Sequence, residues 1–258
     1  MKLDAYIKDK FVHTRKKNII KFFYIFYHKY IKKFSKESYS FGGVDLLVNR
    51  FFRDKKDGIY IDIGCYHPKN GSNTYLLHKK GWSGINIDLD EASIDLFNSF
   101  RPKDYNKKIA ISDHKGQTTL FAYHKRSAVQ TIDSETAELR DTEIKERIQI
   151  ECDTLNSIIE ESHFKNKKID FLSIDIEGGE LKALSNFDFK KYNPSLVVIE
   201  YNDKELKQVE FYYQRVGGIF DSAIYKLLIA NGYKFVNWHH ADLIFVSDSI
   251  YNKRTLNN

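Results

Sequence analysis

The chain has 258 residues, 42% of them hydrophobic, with 17 Tyr and 19 Phe, enough for one sizeable core and an appendage. Its two cysteines, Cys65 and Cys152, exclude a disulfide framework and point to a reduced, cytoplasmic setting. The formal charge of +6 is uneven: residues 1–37 carry eleven Lys or Arg against three acids, and the remainder 30 against 32, so a nucleic-acid-binding core is not indicated.

Residues 1–37 read as a basic amphipathic helical extension. Ile19, Ile20, Phe23, Phe26, Tyr27, Tyr30, Ile31 and Phe34 fill one helical face, and Lys17, Lys21, His28, Lys29, Lys32, Lys33 and Lys36 the other. Phe22 and Ile25 are exceptions to the pattern. The apolar run from Phe22 to Tyr27 is too short to span a bilayer. Such a helix can lie peripherally on an anionic membrane, at the inner face of a cell, or dock on its own domain or on a second subunit. No uncharged apolar core with a small-residue cleavage site follows the start, so no secretory signal is expected.

Residues 38–258 alternate helix and strand. The pattern predicts a helix over 42–52, a strand over 59–63, a helix over 73–80, a strand over 83–88 and a helix over 91–100 that stops near Pro102. A third strand is expected over 106–111 and an added β segment over 118–123, then loop or irregular helix over 124–147 and an extended stretch over 148–152. Asp153 or Thr154 caps the next helix, which runs to Glu161. A strand over 169–175, a helix from Gly179, a strand over 196–201 and a helix over 220–231 ended by Gly232 complete the alternation. Residues 233–237 and 242–246 read as an antiparallel hairpin. The fold class is therefore α/β, a Rossmann-like doubly wound and mostly parallel sheet closed by that hairpin.

Candidate chemistry lies where strands end on acids, since ligands of open α/β sheets bind beyond those ends. Asp62-Ile-Gly64-Cys-Tyr-His67-Pro68 lacks the small residues of a dinucleotide fingerprint, and an acid at that turn suits an ammonium group better than a phosphate. Asp88 lies 24 residues beyond Gly64, close to the spacing of a ribose-binding acid. Ser112-Asp113 can reach an adenine ring or simply begin the turn to Gly116. In Ser173-Ile-Asp175-Ile-Glu177-Gly-Gly-Glu180, two adjacent carboxylates raise one another's proton affinity or share a cation. Glu180 reads as the start of a helix, and Glu200 as a hydrogen-bond partner of the cluster.

In these segments, and over roughly residues 38–247, the chain resembles the FkbM-type family of S-adenosylmethionine-dependent methyltransferases. Further matching pieces are Gly81-Trp-Ser-Gly-Ile-Asn-Ile-Asp88, Cys152-Asp-Thr-Leu155 and Ile199-Glu-Tyr-Asn202. The resemblance implies O-methylation, often of sugars or surface glycans. It places Asp62 and Gly64 at the methionine end, Cys65 among the cofactor-binding residues, Ser72, Asn73 and Thr74 near the methionine carboxylate, Asp88 at the ribose and Asp113 on the adenine side. Two departures, Cys65-Tyr66 after the strand and Ser173 before Ile174-Asp175, bear on acceptor choice. The acceptor proton is expected to pass to Asp175, Glu177 or His67. Direct acid–base chemistry is preferred to a divalent cation held by the acids. The rival readings are a nicotinamide-dependent oxidoreductase, which lacks its fingerprint here, and an inactive membrane-associated interaction module.

Overall fold

The computed structural model describes residues 17–31, 36–123, 130–139, 143–201 and 216–255. The chain divides into two compact units, Met1–Glu37 and Ser38–Asn258. In the first, helix α1 (Lys17–Phe26) runs into a π-helical turn, Tyr27–Ile31. The expected face positions Lys32, Lys33 and Phe34 lie outside the described residues. No described helix is long and apolar enough to cross a membrane.

The second unit is built on a seven-stranded sheet. Its strands are β1 (Ile59–Ile63), β2 (Ser83–Asp88), β3 (Tyr105–Lys108), β7 (Phe171–Ile174), β8 (Leu196–Glu200), β9 (Tyr233–His239) and β10 (Asp242–Ser247), in the order β3-β2-β1-β7-β8-β10-β9. Neighbours pair in parallel except that β10 runs against both β8 and β9. β1, β7 and β8 are rich in Ile, Leu and Val and almost wholly buried, as strands covered on both faces must be.

Alternate residues feed two cores. Ile61, Ile63, Leu172, Ile174, Val197 and Ile199 pack on one face with Leu155, Ile158 and Leu184 from the helices Leu155–Glu161 and Glu180–Ser185. Tyr60, Phe171, Val198 and Ile244 pack on the other with Val44 and Val48 of the helix Val44–Phe51 and with Trp82. The strand order reverses between β1 and β7, and a crevice opens there at the C-terminal edge.

The third predicted strand is broken. Residues 105–108 pair with β2, whereas β4 (Ala110–Ile111) leaves to pair with β6 (Glu146–Asp153), which in turn pairs with β5 (Gly116–Ala122) in a separate three-stranded sheet. β2 ends at Asp88, whose carbonyl still accepts from Ile109 N, so the residues after 109 must find partners elsewhere. The 124–147 stretch holds a short helix, Ser134–Leu139, with 124–129 and 140–142 outside the described residues. The expected single helix over 220–231 is two, Val216–Asp221 and Ala223–Ala230. Ser222 separates them because its hydroxyl caps the second by accepting from Tyr225 N. The helices Phe189–Tyr192 and Asp248–Thr255 carried no periodic signal long enough to predict.

Candidate active site

The crevice holds a cavity of about 530 Å³, within the usual range for a small-molecule site. Ile63 and Gly64 lie in its wall at the end of β1. One end carries Asp88 and Asp90 beside an apolar slot of Leu89, Ile109, Ala110, Ile111 and Ile132. The other end carries Asp175, Glu177, Glu200, His240 and Asp242, and the rings of Phe41 and Tyr66 also face the space.

Only glycine fits at position 64. Its φ is +76°, and an added Cβ would sit 1.7 Å from the carbonyl oxygen of Asp175. The amides of Gly64 and Cys65 both donate to Ile87 O, at 2.9 and 3.2 Å, which ties this turn to β2. Asp88 then accepts from Tyr66 N and Asp90 N, each at 2.8 Å. Two donors leave a carboxylate with further lone-pair sites for ligand hydroxyls. Burial raises Asp88's proton affinity, and these amide bonds oppose that.

Asp62, Cys65, Ser72 and Thr74 stand behind the cavity wall rather than in it. Asp62 is buried and accepts from Thr74 Oγ1 at 2.7 Å. Thr74 Oγ1 accepts from Arg101 at 2.8 Å, and Arg101 also donates to Ser72 Oγ at 3.0 Å and to the Pro68 carbonyl. Burial pushes the Asp62 carboxyl up to about 6, against the Thr74 bond and the Arg101 charge. Arg101, 1% exposed, thus pins the 66–74 loop from beneath. The sequence offered no sign of this beyond a basic residue ahead of Pro102. Cys65 packs with Ile94 and Phe97, and burial pushes its thiol well up. Asn73 does line the cavity and donates to Ser173 Oγ at 3.0 Å.

His67 does not line the cavity. Its Nδ1 accepts from Lys69 N and Asn70 N, both at 3.0 Å, so the ring holds a turn. Asp113 lies off the slot, paired at 2.7 Å with His114 Nδ1, and the slot is walled instead by the preceding Ile109–Ile111.

The structure brings Asp175, Glu177 and Glu200 together, with one carboxylate oxygen of each within 4.8 Å of the others. Glu200 Oε2 is buried without a hydrogen-bond partner. Asp175 is exposed by area, but that area is cavity wall among other acids, so desolvation rather than open solvent governs its carboxyl. Burial raises both Asp175 and Glu200, and the charges of Asp175 and Glu177 raise Glu200 further. Glu180 accepts from Ile176 N and Gly178 N and is pushed up to about 7, chiefly by burial. Asp242, which sequence reasoning missed, is also pushed up to about 7, by burial and then by Asp175. Its signal lay in β10's reversed direction, which brings the first residue of that strand to the working edge.

Two properties set this cleft apart. Among the described residues that line it there is no Lys or Arg, so it favours a cation. Three of the four described non-glycine residues with positive φ also line it: Tyr66 at 52°, Glu177 at 58° and His240 at 57°. Such backbone is uncommon and concentrates at functional sites.

An α/β sheet of this order, with a cleft at the strand ends where the order reverses, is a Rossmann-like fold. The model of the methyltransferase FkbM domain matches residues 62–235. The chain belongs to that family, and is an S-adenosylmethionine-dependent methyltransferase. No curated protein matches it.

Among solved structures the chain is similar to a TehB-like SAM-dependent methyltransferase from Corynebacterium glutamicum (13% identity, 90% of this chain and 97% of that one, TM-score 0.39). It is also similar to an O-methyltransferase from Bacillus cereus in complex with SAH (15% identity, 95% and 96%, TM-score 0.39). A third is monomeric WbdD (11% identity, 86% and 43%, TM-score 0.40).

The residues present fit the family's cofactor. Gly64 leaves the backbone open at the turn, Asp88 retains acceptor capacity for ribose hydroxyls, and the Leu89–Ile111 slot suits a flat base. The acid-lined, lysine-free wall suits a net positive donor.

Proposed function

We propose that the protein methylates a hydroxyl oxygen of a sugar or surface glycan. The observation that carries this reading is one cavity with Asp88 and the apolar slot at one end and Asp175, Glu177 and Glu200 at the other. When bound, S-adenosylmethionine supplies a methyl group already activated by its sulfonium. The chain's task is then alignment and proton removal. Asp88 and Asn73 hold the donor end. Asp175 or Glu177 accepts the acceptor's hydroxyl proton, and burial raises the proton affinity of Asp175 in that role. Asp62, Ser72, Thr74 and Cys65 position the donor loop from behind, and Arg101 anchors it. The rings of Phe41, 83% exposed, and Tyr66 offer apolar faces to a pyranose. The three clustered carboxylates have the donor chemistry for a divalent cation, but acid–base transfer needs none.

Calorimetry with S-adenosylmethionine, its demethylated product and NAD tests the donor. Binding of the first two and not the third is expected, and Asp88→Asn weakens it about tenfold, the loss of one or two hydroxyl bonds. Incubation with labelled donor and surface-glycan extracts, followed by mass spectrometry, tests the acceptor. Label appearing only on protein, lipid or nitrogen sites would overturn the glycan reading.

A further inference from the structure

The N-terminal unit holds a feature that methyl transfer does not use. Phe22, Phe23 and Tyr30 are each 63% exposed, and Ile19 57%, an unusual density of bare aromatic surface in one 15-residue helical segment. Phe22 is no exception to the apolar face. Its ring stacks on Phe26 at 6.4 Å, and Phe26 meets Tyr30 at 5.2 Å, so one aromatic stripe runs along the segment. At 3.6 residues per turn, Lys21 of α1 falls on the face opposite Phe26. Lys29 sits at the border with its Nζ 5.3 Å above the Tyr30 ring.

We propose that residues 17–31 dock on an anionic lipid surface, with the aromatic stripe in the headgroup–acyl boundary and the lysines on lipid phosphates. Charge complementarity selects this occupant. Eleven basic residues against three acids are concentrated in residues 1–37, whereas the rest of the chain is slightly acidic. A second copy of this segment would set its basic residues against like charges, which an anionic lipid surface does not. The described helix is too short and too basic to insert across a bilayer, and interfacial helices combine this aromatic face with this basic one. The inference is independent of the acceptor reading.

The test is flotation of the full-length protein with vesicles of phosphatidylcholine alone or mixed with phosphatidylglycerol. Binding to the mixed vesicles is expected, at least tenfold weaker on phosphatidylcholine and at raised salt. Phe22→Ser with Phe26→Ser should abolish it, and Lys21→Gln with Lys29→Gln should weaken it severalfold. Both variants should bind S-adenosylmethionine as the parent does, which reports an intact second unit. Sedimentation velocity without lipid and a gel shift with duplex DNA complete the set. Failure to float with anionic vesicles overturns the proposal, whether the stripe then proves to hold a dimer, to bind DNA, or to do neither.

Discussion

Asp242, the first residue of β10, stands directly opposite Glu200, the last residue of β8, across an antiparallel pair. Two acids in register repel when ionised. Burial and Asp175 hold the Asp242 carboxyl at about 7 against an ordinary 3.8. The folded state therefore keeps a proton that the unfolded chain releases near pH 4. Stability from this group is complete below about pH 4 and is lost as pH rises through about 7. At about 1.4 kcal/mol per unit, the rise from 3.8 to about 7 makes the loss on the order of 4 kcal/mol. Asp242→Asn should raise the melting temperature at pH 8 and change it little at pH 4. Equal shifts at both values would show that Asp242 is not the titrating group.

Gly64→Ala tests the cradle. The added methyl would meet the Asp175 carbonyl, and alanine at φ +76° costs a further 1–2 kcal/mol or so. A total loss of about 3 kcal/mol or more in denaturant titration is expected, with donor binding abolished. A variant with parental affinity would mean that the turn relaxes freely.

Glu177 separates chemistry from folding. Glu177→Gln should leave donor affinity within about threefold and reduce turnover by roughly 10²–10⁴, the usual worth of a general base. Parental turnover would remove Glu177 from that role and leave Asp175. Because Glu177 sits at φ +58°, glycine there should be more stable than alanine by about 1 kcal/mol, the reverse of their order in ordinary backbone. Chemical denaturation of the two variants measures the difference.

Prolonged dialysis against a chelator should leave turnover unchanged if the acids act by proton transfer alone. Loss of activity restored by Mg²⁺ or Mn²⁺ would instead assign Asp175, Glu177 and Glu200 to a cation.

Much of the fold was legible in the chain. Strands 59–63 and 83–88 and the helix over 91–100 fall where β-branched runs and the Asp90 cap place them, since local pattern and tertiary burial agree there. Asp88, Asp175 and Glu177, which the strand-end pattern singled out, all line the cavity, because each lies at or just beyond the C-terminal edge of a buried parallel strand. The supporting parts were not. Arg101 meets Thr74 and Ser72 only after the chain has folded back across 27 and 29 residues, and nothing local marks it. Asp242 was missed because alternation reveals a hairpin but not which end of an antiparallel strand reaches the cleft. His67 and Asp113, chemically able side chains beside a motif, lie outside the cavity lining and make local bonds, with Lys69 N, Asn70 N and His114, that the sequence pattern does not reveal.

The two ends of the cleft are built from different materials. The Asp88 end rests on strand tips and a glycine that tolerates no side chain, while the Asp175 end is completed by a tight reversal at His240–Ala241. If the cleft works as proposed, lengthening or recolouring that bend would reshape the space offered to an incoming alcohol without disturbing the nucleoside berth, so selectivity in such a scaffold can drift while its reagent stays the same.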